Sequence, residues 1–198
     1  MKKRLILVAA PPAHGKNYVS KILCEALSSV AYFDKDDLAP LLSRSFALAG
    51  ETADMDGDFY REKLRDAEYE TLFTLAFSAL RFSDTVLVNA PLSREVRDEE
   101  YMKALRARAM ALGASLSLVW VTASEAVVFE RMKKRNASRD EKKLRSFAQY
   151  AKGINREPPR VLLSLGVLDQ LIVFDNENEE TAKKSLALAL SALSENKE

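Results

Sequence analysis

In the stretch LVAAPPAHGKNYVS, residues 7–20, Gly15 and Lys16 stand directly after a short apolar run. A glycine there lets the backbone turn tightly, and a lysine brings a compact positive charge. A helix starting at this point adds unpaired N–H groups that carry partial positive charge. The chemistry these features share is the holding of phosphate oxygens. The spacing approaches a known pattern: Gly, four residues, Gly-Lys, then Ser or Thr, between a strand and a helix. Ala10 takes the first position and Asn17 the last. Pro12, Ala13, His14, Gly15, Lys16, Asn17 and Tyr18 are therefore the candidates to contact a nucleoside triphosphate, with Lys16 reaching its β- and γ-phosphates. His14 falls where the pattern uses backbone rather than side chain, so it carries no catalytic expectation. The hydroxyl replaced by Asn17 ordinarily ligates Mg2+. An amide oxygen is also a hard ligand, on a longer side chain, so metal binding is expected to be retained and weakened.

A second polar group lies in YFDKDDL, residues 32–38. Phosphoryl transfer to an alcohol needs a carboxylate that orients the hydroxyl and takes its proton. Asp36 is the first candidate for that role and for a metal contact, and Asp34 the second, on the substrate side. Either could instead cap a helix beginning near Asp37. In DTVLVNAPL, residues 84–92, Asn89 ends an apolar run where a carboxylate could hold metal-bound water. Its amide offers hydrogen bonds without charge. The stretch ERMKKRNASRDEKKLR, residues 130–145, holds eight basic residues. Arg131 and Arg135, four apart, share one helix face, and Arg139 lies just beyond that helix's expected end. The cluster reads as a solvated face, a nucleic-acid patch, or a lid whose guanidinium groups spread charge on a transferring phosphoryl group. Without interleaved aromatics or a global basic excess, the chain argues against nucleic acid.

The elements that must position these residues alternate along the chain. RLILVAA (4–10), VAYF (30–33), TVLVNA (85–90), SLSLVWV (115–121) and QLIVF (170–174) predict buried strands. Val19, Ile22, Leu23, Ala26 and Leu27 predict a helix with one apolar stripe, and Leu186, Leu190 and Leu193 predict another. One uninterrupted helix is predicted over 58–80. Thr122 with Glu125, and Ser138 with Glu141, fit capping boxes. Strands alternating with helices imply an α/β fold with a parallel sheet covered on both faces. The 198 residues suit one domain, and 30 basic against 29 acidic residues give no general pull toward polyanions. Cys24 and His14 are single residues of their kinds, which excludes an internal disulfide and makes a Cys/His zinc site implausible. The apolar run 5–10 is shorter than a secretion signal needs, and no stretch is long enough to span a bilayer, so a cytoplasmic location is expected.

Five stretches, APPAHGKN, DKDDL, TVLVNAPL, LVWVTASE and ERMKKRNASRD, occur in the order and spacing of one group. Together they resemble the P-loop small-molecule kinases, in particular the AAA_33-type and the zeta-toxin and chloramphenicol-phosphotransferase-like kinases. The resemblance implies a three-layer α/β/α fold with a five-stranded parallel sheet of order 2-3-1-4-5. It implies ATP with Mg2+ as cofactors, an acceptor segment over 38–82 and a lid over 131–145, all in one domain. Gly15 and Lys16 then bind phosphate, Asp36 is the acceptor base, and Arg131, Arg135 and Arg139 are lid arginines. Arg44, Arg61, Arg65 and Arg94, with Arg97, are placed to meet an anionic acceptor and Tyr60 to stack on a ring, or all are ordinary surface residues. The expected partners are a nucleoside triphosphate and a small-molecule acceptor, with no membrane, and the sequence sets no oligomeric state. Three activities compete: an ATP-dependent kinase acting on a hydroxyl, a regulatory ATP- or GTP-binding protein with little turnover, and a nucleoside monophosphate kinase.

Overall fold

The computed structural model describes residues 3–194, apart from the side chains of Ser138 and Arg139. The strands are β1 (Lys3–Ala9), β2 (Val30–Asp34), β3 (Thr85–Asn89), β4 (Ala114–Thr122) and β5 (Gln170–Asp175). They form one parallel sheet of order β2-β3-β1-β4-β5, as the family resemblance implied. The helices are α1 (Lys16–Ala26), α2 (Ala39–Ala49), α3 (Arg65–Leu80), α4 (Glu99–Ala111), α5 (Glu125–Arg135), α6 (Ser138–Arg145), α7 (Phe147–Gly153), α8 (Val161–Ser164) and α9 (Glu179–Ser194). Among the described residues, no helix is long and apolar enough to cross a membrane.

The three layers follow from the alternation of side chains along each strand. Leu5, Leu7 and Ala9 of β1 pack with Tyr69, Leu72 and Phe73 of α3 and Met102 and Leu105 of α4. Ile6 and Val8 face the opposite way, onto Val19 and Leu23 of α1 and Ala182, Ala189 and Leu193 of α9. Central strands buried on both faces need continuous apolar sequence, which is why β1 and β3 read as unbroken runs. Ala26 departs from the stripe predicted for α1: it is exposed at the helix end.

Three local expectations are corrected. The helix predicted over 58–80 is interrupted by a π-helical turn at Tyr60–Leu64, ahead of α3. That turn lets Tyr60 point inward onto Leu42 and Phe46 of α2 and donate to Glu68 at 2.5 Å. The cap of α5 is Ser124, whose Oγ accepts from the Val127 N–H at 3.3 Å, rather than a Thr122–Glu125 box. Glu125 is drawn away by Arg156, and Thr122 stays in β4, where its hydroxyl donates to the Phe174 carbonyl at 3.3 Å. At α6 the cap position belongs to Ala137, so Ser138 is the first helical residue rather than the cap.

Strand register sets the site. Val8 lies opposite Asn89, and Asn89 opposite Asp34, so the carboxyl ends of β1, β3 and β2 lie side by side.

Candidate phosphate-binding site

Residues 10–15 connect β1 to α1 as a tight loop. Ala10 is buried and outside the left-handed region, so a methyl group fits where the pattern has glycine. Two later residues do adopt left-handed backbone: Ala13 at φ 64° and Gly15 at φ 91°. At Gly15 a Cβ would lie 2.2 Å from Asn176 Nδ2, so conformation and space both require glycine. The crowding comes from a clamp on the preceding residue. The His14 carbonyl accepts from Asn176 Nδ2 at 2.9 Å and from Arg131 Nη1 at 3.2 Å, and Arg131 Nη2 donates to the Asn176 carbonyl at 2.7 Å. The first turn of α1 has no side-chain cap, so its N–H groups can take an anion.

The His14 ring is buried at 2 % exposure, and its Nδ1 lies 3.0 Å from the Pro12 carbonyl. Nδ1 therefore carries the proton, and Nε2 is buried without a partner among the described residues. Burial holds its pKa below 6.5, opposed by the Pro12 carbonyl and reinforced by the charges of Arg156 and Arg131. The unfolded imidazole titrates at its ordinary value, so this contribution to stability is complete above that value and is lost as pH falls toward the lowered one. His14 is the only histidine, which makes the effect assignable. The melting temperature should fall as pH drops below about 6.5, and His14→Gln should flatten that slope. An unchanged slope in the variant would reject the assignment.

Beside the loop, Asn89 is fully buried and its amide nitrogen lies among three oxygens: Asp34 Oδ2 at 2.6 Å, Asn17 Oδ1 at 3.0 Å and Tyr32 Oη at 3.0 Å. Lys16 Nζ also donates to Asn17 Oδ1, at 2.9 Å, and Tyr32 donates to Asp34 Oδ2 at 2.7 Å. The other Asp34 oxygen accepts from the Asp36 N–H at 2.9 Å. Asp34 thus caps the short 3-10 turn Lys35–Leu38 and anchors the Asn89 knot at once. The Asp36 side chain is exposed and makes no hydrogen bond or ion pair among the described residues.

The charged residues of the acceptor segment are mostly neutralised in place. Lys35 and Glu68, both buried, pair at 2.7 Å. Arg65 makes two bonds to the buried Glu95, at 2.6 and 3.0 Å, and its guanidinium stacks 4.5 Å from the Tyr69 ring. Arg65 is therefore neither a surface residue nor open to an acceptor. Tyr60 is corrected likewise: it is 5 % exposed and held by Glu68. Arg94 pairs with Asp66, and Arg61 with Asp58 at 3.4 Å. Arg97 lies 5.4 Å from the Trp120 ring. Arg44 is exposed on the face of α2 away from buried Leu42 and Phe46.

The basic cluster divides similarly. Arg131 braces the loop, whereas Arg135 is held by buried Asp140 through bonds of 2.7 and 2.8 Å. The side chain of Arg139 lies outside the described residues.

Residues 5–158 match the AAA_33 family, described as an AAA domain. The chain belongs to the AAA_33 family. Similar solved structures span nearly its whole length. A proposed kinase of Chloroflexus aurantiacus is 19% identical over 98% of this chain and 97% of its own, with a TM-score of 0.61. A gluconokinase of Sinorhizobium meliloti is 20% identical over 98% and 95%, with a TM-score of 0.53. A shikimate kinase of Bacteroides thetaiotaomicron is 13% identical over 96% and 98%, with a TM-score of 0.51. At these identities the likeness establishes the P-loop kinase fold. No curated protein sequence matches significantly.

In this AAA_33 chain the loop, Lys16, Asn17, Asp34 and Asn89 come together at one sheet edge. Tyr18 lies on α1 at 48 % exposure, and exposed Pro12 supplies the carbonyl that orients His14. The sequence reading missed Asn176, Tyr32 and Arg156. Asn176 follows β5 and reaches the loop from 162 residues away, so no local signal marks it. Arg156 has a buried Nε without a partner among the described residues, and its charge helps to hold the His14 pKa down; its segment GINREPPR reads only as a loop. Family membership usually implies Mg2+ beside the nucleotide. The oxygens here fit it poorly: Asn17 Oδ1 and both oxygens of Asp34 already accept donors.

Proposed function

We propose that the chain is an ATP-dependent phosphotransferase that moves the γ-phosphoryl group to a hydroxyl of a small metabolite, nucleotide sugar or antibiotic. The observation that carries this reading is the clamped loop, with an uncapped α1 behind it and Lys16 at its end. Backbone N–H groups and the Lys16 ammonium hold the phosphates. The acceptor hydroxyl gives its proton to Asp36 as its oxygen bonds to the γ-phosphorus, and ADP departs. Asp36 suits this role better than Asp34, whose two oxygens accept three hydrogen bonds. Residues 38–82 form the acceptor side and 131–145 the lid, in one domain with the loop. The pairing of the acceptor-side arginines favours an acceptor recognised by hydroxyls over one recognised by a carboxylate or phosphate.

The test measures ATP and ADP affinity and then transfer. Lys16→Ala should weaken ATP binding by about tenfold or more. Asp36→Asn should lower transfer by about 100-fold with ATP affinity intact. Failure of ATP to bind at millimolar concentration ends the reading. The Asn89 knot favours a second one, a nucleotide-binding regulator with little turnover. Tight ATP binding with no phosphorylated product across a broad acceptor screen would select it.

A further inference from the structure

We infer that the Asn89 amide stands in for the hydrated cation at this sheet edge, so that Asn17, Asp34 and Asn89 supply no ligand to the metal of a bound triphosphate. Three oxygens, from β2, β2's end and α1, converge on one point, as a cation's surroundings would. The group at their centre is an NH2.

Its orientation is dictated by chemistry. With the amide reversed, a carbonyl oxygen would face the Asp34 carboxylate at 2.6 Å and the Asn17 oxygen at 3.0 Å. Tyr32, the one neighbour able to donate, already gives its proton to Asp34 at 2.7 Å. The nitrogen therefore faces the oxygens, and Oδ1 is left buried without a partner among the described residues. A divalent ion entering here would displace that nitrogen and leave both ends of a fully buried amide unsatisfied. Asn17 is exposed, and a movement of its side chain or of Lys16 toward phosphate would leave the Asn89 bonds to Asp34 and Tyr32 in place. The repulsion that normally draws a cation between oxygens is quenched by a neutral donor.

The inference rests on the proposed triphosphate site for one of its two measurements. Titration calorimetry should give ATP affinities in excess Mg2+ and in EDTA that agree within about threefold. A loss of about tenfold or more in EDTA would overturn the inference. Asn89→Asp should create that dependence, raising the Mg2+-to-EDTA affinity ratio by about tenfold, and a ratio equal to the native one also counts against it. Circular dichroism and the melting temperature verify that the variant is folded. The second measurement needs no nucleotide: Mn2+ is added to the 15N-labelled native protein. The Asn89 and Asn17 side-chain amide signals should broaden no more than those of exposed asparagines, whereas selective broadening shows a working metal site and ends the inference. If ATP binds under neither condition, the kinase reading falls and the Mn2+ result alone decides this one.

Discussion

Glu68→Ala should destabilise the protein by about 3–5 kcal/mol, a large share of the stability of an ordinary domain. The side chain of Glu68 is 1% exposed and that of its partner Lys35 10%, with 2.7 Å between them. Glu68 also accepts from Tyr60 at 2.5 Å, and the Lys35 ammonium lies 5.7 and 5.9 Å from the Tyr60 and Tyr69 rings. Removing the carboxylate strands a buried ammonium and a buried phenol. The aromatic faces return only part of what is lost, since such contacts contribute about 0.5–2 kcal/mol. Lys35→Met with Glu68→Leu should recover the part due to the ion pair, because apolar groups of similar volume replace buried ion pairs well, and leave the cost of the Tyr60 hydroxyl without its acceptor. Urea unfolding of the single and double variants measures both. A single-variant cost below about 1 kcal/mol would show that water reaches the pair. Lys35 sits between Asp34 and Asp36, so the single variant should also disturb the placement of the proposed base.

Gly15→Ala should cost about 2–3 kcal/mol and weaken ATP binding by at least about tenfold. Two causes add. The left-handed conformation at φ 91° strains any residue with a Cβ, and the new methyl group would meet Asn176 Nδ2. Asn176, one of the two donors that hold the loop, must then release the His14 carbonyl. Asn176→Ala gives back the space without the dihedral, so the double variant should lie between the two singles in affinity and remain strained. Strict additivity would mean that the two residues do not meet.

Much of the fold was legible because the strands of a covered parallel sheet are apolar on both faces, and TVLVN or SLSLVWV admits few other readings. The loop was legible because Gly15-Lys16 follows such a strand. Register was not: that Asp34 faces Asn89 depends on the pairing of β2 with β3 across 55 residues. Charged residues misled most. Arg65, Glu68 and Glu95 carry letters that read as surface, yet each is paired in the interior. The partner of Arg135 was not legible, because a helix wheel shows its face without showing Asp140, five residues on and across a turn. Glu125 read as half of a capping box because its true partner, Arg156, lies in a segment with no periodicity.

The π-helical turn at Tyr60–Leu64 makes the chain sensitive to its own count of residues. Such a turn accommodates one residue more than an α-helix needs over the same rise. Deleting a single residue inside it would restore the continuous helix that the 58–80 pattern suggests. It would also rotate everything before the deletion by about 100° relative to α3. Tyr60 would swing off Glu68, and Phe59 off Phe46, whose rings now lie 5.7 Å apart. A length change that leaves composition almost untouched would thus dismantle the junction of α2 with the interior, whereas point substitutions at exposed Glu62 or Lys63 would pass unnoticed.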